Sequence, residues 1–281
     1  MTFQSSIIVI GLVAFAGGTT DSFAQVSSDL TCHYTNPPGA FVESALPDGH
    51  HVRLVRSQDP SEMESACVAT VSDSRAAVIW TATGFGTTVY DGTGRDLDGD
   101  GRGDAVIGVD TGGGNRCCWT YFVLKFSPRF QIAAELNYPP FFESDATGRA
   151  LFFEIVPFYA LGPDMASSPT LIRAHQFRAG RFEDVTLERC DDILTNTTRG
   201  WSTRQWDWDR ASPAAHAASR TAKEVTFEVE QTRVAVTSIV LQQFVCRRPQ
   251  DAARLVQDTW PAGQADEYLE KLRALAGAAS K

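Results

Sequence analysis

The stretch that decides the reading of this chain is Asp96-Leu97-Asp98-Gly99-Asp100-Gly101-Arg102-Gly103-Asp104-Ala105-Val106-Ile107-Gly108-Val109. Asp96, Asp98, Asp100 and Asp104 fall at relative positions 1, 3, 5 and 9, and the carbonyl of Arg102 falls at position 7. A hard cation needs several oxygens at about 2.3–2.6 Å, and a short loop delivers them best from alternating positions. Gly99, Gly101 and Gly103 let the backbone turn between ligands, partly at φ > 0, where a side chain is penalised. Four carboxylates this close repel one another in a folded protein unless a cation neutralises them. The spacing therefore predicts a Ca²⁺ site with Asp96, Asp98, Asp100, Arg102 and Asp104 as ligands. The plainer alternative is a solvated acidic turn between strands. An EF-hand does not fit, because Ile107 stands where that loop needs a bidentate Glu. The residues after Asp104 read as a strand, not as an exit helix.

Outward from the loop, the chain is a series of short β-rich runs broken by Gly, Pro, Asp and Ser. They cover His51 to Arg56, Cys67 to Val71, Ala76 to Ala82, Thr87 to Tyr90, Ala105 to Val109, Trp119 to Phe126 and Phe130 to Leu136. Leu151 to Tyr159, Thr170 to Phe177 and Arg181 to Val185 continue the series. Alternation at Val52 and Leu54, and at Phe130 and Ile132, implies one buried and one wet face. These lengths predict an antiparallel sheet assembly.

From Leu187 onward Ala, Arg, Glu and Gln become frequent, and neither Gly nor Pro interrupts Ala214 to Arg248, which favours helix. The β-branched residues Val225, Val229, Val234 and Val236 leave strand or helix open for that stretch. Tyr268, Leu269, Leu272 and Leu275 recur at helical spacing after a break at Trp260-Pro261. The organisation expected is a signal peptide over 1–24, a β-rich domain over 25–186 and a helical segment over 187–281.

The N-terminal assignment rests on an apolar run from Ile7 to Gly18, too short to span a bilayer, followed by Ser22-Phe23-Ala24, which fits a small-residue cleavage site. Export to the periplasm or medium follows, with no transmembrane segment after cleavage. Cys32, Cys67, Cys117, Cys118, Cys190 and Cys246 then meet an oxidising compartment, without C-x-x-C spacing, so disulfides are expected. Pairing Cys32 with Cys67 and Cys190 with Cys246 would staple each half of the chain. The neighbours Cys117 and Cys118 are left for each other or for distant partners, or as buried thiols.

A formal charge of −9 argues against nucleic acid as a partner and suits a divalent cation. No catalytic centre stands out. Asp110-Thr111-Gly112 matches an aspartic-protease triplet but occurs once, and reads more simply as a turn. His33, His50, His51, His175 and His216 lack the spacing of a helical zinc pair. Trp201, Trp206 and Trp208 could stack a sugar or a peptide, but more simply seal a helix against a sheet.

The loop entering Ala105 to Val109 resembles the calcium loop of FG-GAP and VCBS-type repeats, the blade units of integrin-like β-propellers. The resemblance implies Ca²⁺ bound by Asp96, Asp98, Asp100 and Asp104. It also implies a mainly β, antiparallel fold, partly propeller-like or built of stacked sheets, with the helical segment at its C-terminus. The following Gly112 to Phe126 is similar to segments found after such loops in exported bacterial proteins. A second copy is expected by setting Glu143 on Asp96, an offset of 143 − 96 = 47 residues, with Thr147 and Leu151 in place of Asp100 and Asp104. That second loop would keep the fold and lose the ion. The function implied is a non-enzymatic, calcium-stabilised exported protein that binds a protein or glycan partner. The alternative is a calcium-dependent secreted hydrolase with its site between the β and helical parts.

Overall fold

The computed structural model describes residues 30–59, 66–112, 118–144, 149–158, 168–178, 180–197 and 212–279. The expected signal peptide, Cys117, Thr147 and the three tryptophans Trp201, Trp206 and Trp208 lie outside the described residues.

The described chain is mainly β, with thirteen strands followed by five helices. The strands are β1 (Thr31–His33), β2 (Phe41–Ala45), β3 (His51–Arg56), β4 (Cys67–Ser72), β5 (Val78–Gly84), β6 (Gly86–Val89) and β7 (Ala105–Asp110). After them come β8 (Trp119–Lys125), β9 (Gln131–Leu136), β10 (Pro140–Ser144), β11 (Ala150–Pro157), β12 (Thr170–Arg178) and β13 (Arg181–Asp184). They form three antiparallel sheets in the orders β2-β3-β4-β5, β1-β6-β7-β8-β9 and β10-β11-β12-β13. Each sheet is a meander of four consecutive strands, and the middle one gains β1 on its β6 edge.

The three sheets stack. In the first, β3 alternates as expected, with Val52 and Leu54 buried and His51 and Arg53 exposed. Val52 and Leu54, with Val71, pack against Ala105, Ile107 and Val109 on one face of the middle sheet. The other face of the middle sheet carries Val106, Tyr121 and Val123, which meet Phe142 and Phe152 of the third sheet. β7 is therefore covered on both faces, which is why it reads as an unbroken apolar run. Leu151, Phe153, Ile172 and Ala174 on the far face of the third sheet pack against Ile193 of α1 (Cys190–Thr197).

The remaining helices are α2 (Pro213–Thr221), α3 (Phe227–Val245), α4 (Pro249–Thr259) and α5 (Ala262–Ala279). The open choice over Val225 to Val236 resolves as helix. Thr226 caps α3 by accepting the Val229 N–H at 3.4 Å, and every residue from Ala235 to Gln242 is buried. A helix buried on that many sides is held by packing, which outweighs the modest helix propensity of its β-branched residues. Helix between Ala214 and Arg248 is not continuous: α2 ends at Thr221 and extended residues Ala222 and Thr226 precede α3.

α3 also completes the third sheet. β13 pairs with β12 only over His175 to Arg178, so the rest of that edge of β12 needs other acceptors. Ser238 Oγ accepts the Thr170 N–H and Gln242 Oε1 accepts the Ile172 N–H, both at 2.9 Å. Thr186 Oγ1 accepts the Ala174 N–H at 3.0 Å. Cys32 is bonded to Cys67, and Cys190 to Cys246, as expected. The first joins β1 to β4 and the second joins the start of α1 to the end of α3. Cys118 is also disulfide-bonded.

Replacing Gln242 with Leu keeps the volume but leaves the buried Ile172 N–H without an acceptor. We expect a loss of about 1–3 kcal/mol of stability, read as a lower midpoint of urea unfolding at unchanged slope.

Candidate metal centre

The loop between β6 and β7 hangs at the end of the buried strand, and its base is closed by backbone. Gly94 N–H donates to the Asp104 carbonyl and Asp104 N–H to the Arg95 carbonyl, each at 2.8 Å. Within that closure the carboxylates collect amide donors. Asp96 accepts the N–H groups of Gly99 at 2.7 Å, Asp100 at 3.1 Å and Gly101 at 2.8 Å. Asp98 Oδ1 accepts the Asp100 N–H, and Asp100 Oδ1 accepts the Arg102 N–H, both at 2.9 Å. Asp104 Oδ2 accepts the Leu97 N–H at 2.8 Å.

Gly99 and Gly101 adopt φ of 83° and 85°, the left-handed region the sequence anticipated. Gly103 serves a different need. A Cβ there would lie 2.6 Å from Pro47 Cγ and 2.9 Å from the Gly94 carbonyl oxygen, so the first sheet's β2–β3 turn packs directly on the loop. In that turn Asp48 binds the Arg102 guanidinium at 3.0 Å.

Asp96, Asp98 and Asp104 each offer an oxygen within 4.8 Å of the others. Among the described residues this is the one group of three or more Asp, Glu, His or Cys side chains that could hold a metal. An all-carboxylate set suits a hard divalent ion, and not a soft one. Asp100 lies outside that convergence, and Arg102 directs its side chain away toward Asp48. Asp104 is buried, and burial is the main reason its carboxyl is pushed up to about 7. The Leu97 N–H opposes this, and the charges of Asp100, Asp96 and Asp48 add to it.

One site residue escaped the sequence reading. Lys125, at the end of β8, is 8% exposed, and its ammonium forms an ion pair with Asp98 Oδ2 and a second one with Asp100 Oδ2 at 3.3 Å. The carboxylates are thus balanced by backbone amides and a lysine, where the spacing argument called for a metal alone. The available signal was a single charge closing the apolar run Tyr121 to Leu124.

The other candidates fall elsewhere. Asp110 accepts the Gly112 N–H at 2.9 Å in a turn at the end of β7, which fits the plain reading of that triplet. His50 stacks on Phe126, His33 sits beside Thr35, and His175 faces Glu154 at 3.4 Å. The proposed second loop needs a correction in register. Glu143 is in β10 and pairs directly with Leu151 in β11, so neither occupies a ligand position in a loop. The connection it marks still lies between the first and second strands of the third meander, as the acidic loop does in the middle meander. No family model matches this chain, and neither a curated protein nor a solved structure does.

Replacing Gly103 with Ala forces the loop away from Pro47 and Gly94. We expect a loss of roughly 1–3 kcal/mol in chelator-containing buffer, measured by thermal unfolding. Gly263→Ala in α5, where a Cβ meets nothing within 4 Å, is the neutral control.

Proposed function

We propose that this protein is an exported, calcium-stabilised binding protein of the FG-GAP/VCBS type, with the ion acting as a structural staple between the loop and the sheet stack. The observation that carries the reading is the convergence of Asp96, Asp98 and Asp104 on a loop closed at its base by backbone hydrogen bonds. In this reading these carboxylates and the Arg102 carbonyl hold the ion, while Asp100, expected from the spacing as a further ligand, lies outside their convergence and serves the charge balance. Two disulfides support an oxidising compartment, and no helix among the described residues is long and apolar enough to cross a membrane. The bound partner is a protein or a glycan in this proposal, and the acidic surface disfavours nucleic acid.

The hydrolase alternative is favoured by one feature, a cavity of about 700 Å³ between the third sheet and the end of α3. Its walls include Arg173, Asp184, Glu188, Phe244 and Arg247. Both acids already have partners. Glu188 is gripped by the Arg178 guanidinium through two hydrogen bonds of 2.8 Å, which holds its carboxyl below the usual range, and Asp184 accepts the Thr186 N–H at 2.8 Å. A mixed guanidinium and apolar lining of this kind suits holding a ligand better than activating water.

A site in the weak extracellular range, with Kd of about 10⁻⁴–10⁻³ M, gains about 1.4–2.7 kcal/mol at roughly 10 mM Ca²⁺. For a chain of this size that is an increase in Tm of about 3–10 °C. We expect that increase for the mature protein moved from EGTA into Ca²⁺, a smaller one in Mg²⁺, and none for Asp98→Ala combined with Asp100→Ala. Equal Tm values in EGTA and Ca²⁺ for the unaltered chain would remove the calcium reading.

A further inference from the structure

We propose that Lys125 is the resident counter-cation of the acidic loop, and that a divalent ion enters by displacing the Lys125 ammonium from Asp98, making the loop a cation-exchange site. The inference rests on the calcium reading above and adds the means by which the site is held without its ion.

The register of the middle sheet sets the geometry. Ala105, the residue after the loop, pairs with Leu124, so Lys125 stands across from the loop exit. Its stem is buried, and its charged end meets Asp98 and Asp100 instead of bulk water. Asp98 is the contested group. Its Oδ1 is held by the Asp100 N–H, which leaves Oδ2 to face a cation, and Oδ2 is the oxygen that Lys125 occupies. An ion among Asp96, Asp98 and Asp104 would sit within a few ångström of the ammonium, and two positive centres at that range repel strongly away from water.

The displaced ammonium has a place to go. Asp100 lies outside the three-carboxylate convergence and already holds Lys125 at 3.3 Å, and the Phe177 ring lies 5.2 Å from Nζ. Lys125 therefore keeps Asp100 and the aromatic face while releasing Asp98. Phe177 belongs to the third sheet, so the exchange is felt where the middle and third sheets meet. Exchange also selects by charge. A monovalent ion replacing an ammonium brings no added charge to the carboxylates, whereas a divalent ion brings one more.

Calorimetric titration with CaCl₂ at fixed ionic strength, on the mature wild type, Lys125→Met and Lys125→Arg, tests this. We expect Lys125→Met to bind Ca²⁺ roughly 10-fold more tightly than wild type and Lys125→Arg to stay near wild type. Lys125→Met should also melt below wild type in EGTA, with the gap closing at saturating Ca²⁺. On the wild-type protein, acylation of Lys125 followed by mass spectrometry should rise on adding Ca²⁺. Calcium binding by wild type with equal or weaker affinity in Lys125→Met overturns the exchange and leaves the calcium reading standing. Absence of calcium binding by both overturns the calcium reading and makes Lys125 a permanent ion-pair partner. If Lys125→Met does not fold, unchanged Lys125 acylation at saturating Ca²⁺ in the wild type overturns the exchange.

Discussion

The rest of the structure depends on the burial of β7 on both of its faces. Ala105, Val106 and Ile107 are fully buried, and their side chains alternate between the first and third sheets. A strand so placed has no wet side and holds the two outer layers in register through it. Fully burying a Val or Ile side chain contributes about 1.5–3 kcal/mol, and the acidic loop is anchored to the end of this strand. The loop therefore inherits a rigid floor, although Gly99 to Arg102 at its tip are exposed. The Gly94 and Asp104 backbone bonds extend that floor by one further step.

On this floor the central problem is charge. Asp96 draws on three N–H donors, Asp98, Asp100 and Asp104 draw on one each, and Lys125 supplies a full positive charge from β8. Amide donors stabilise carboxylates, while the burial of Asp104 works the other way and lifts its carboxyl. The loop's carboxylates are thus balanced by groups of the protein itself. Under the calcium proposal such an arrangement limits affinity, because an incoming ion would compete with contacts already made.

The helical part is bound to the sheets as a matter of hydrogen-bond satisfaction as well as packing. β12 is longer than its partner β13, and the exposed edge would leave buried N–H groups unpaired. Ser238 and Gln242, one turn apart on α3, supply the acceptors, and Cys246 at the end of the same helix is bonded to Cys190. The buried polar side chains of Ser238 and Gln242 are explained by this edge. The helices are consequently a continuation of the third sheet's structure and not an appendage to it.

Much of this was legible in the chain itself. Runs such as Cys67 to Val71, Ala105 to Val109 and Thr170 to Phe177 became strands because strand length and turn residues are local properties. The positive φ at Gly99 and Gly101 followed from local chemistry as well, while the pairings Cys32–Cys67 and Cys190–Cys246, one choice among several that the sequence allowed, join residues far apart in the chain. β2 and β10 were not legible, since Phe41 to Ala45 and Pro140 to Ser144 are short and border prolines, and cross-strand pairing alone makes them strands. Helix over Phe227 to Val245 was decided by burial that overrides propensity. Sequence spacing alone brought Asp96, Asp98 and Asp104 together, because they lie within nine consecutive residues, whereas Asp100 at the same spacing falls outside their convergence. Tertiary structure alone brought Lys125 to Asp98 and Asp48 to Arg102, because those partners arrive from β8 and from the β2–β3 turn through packing that no local pattern encodes.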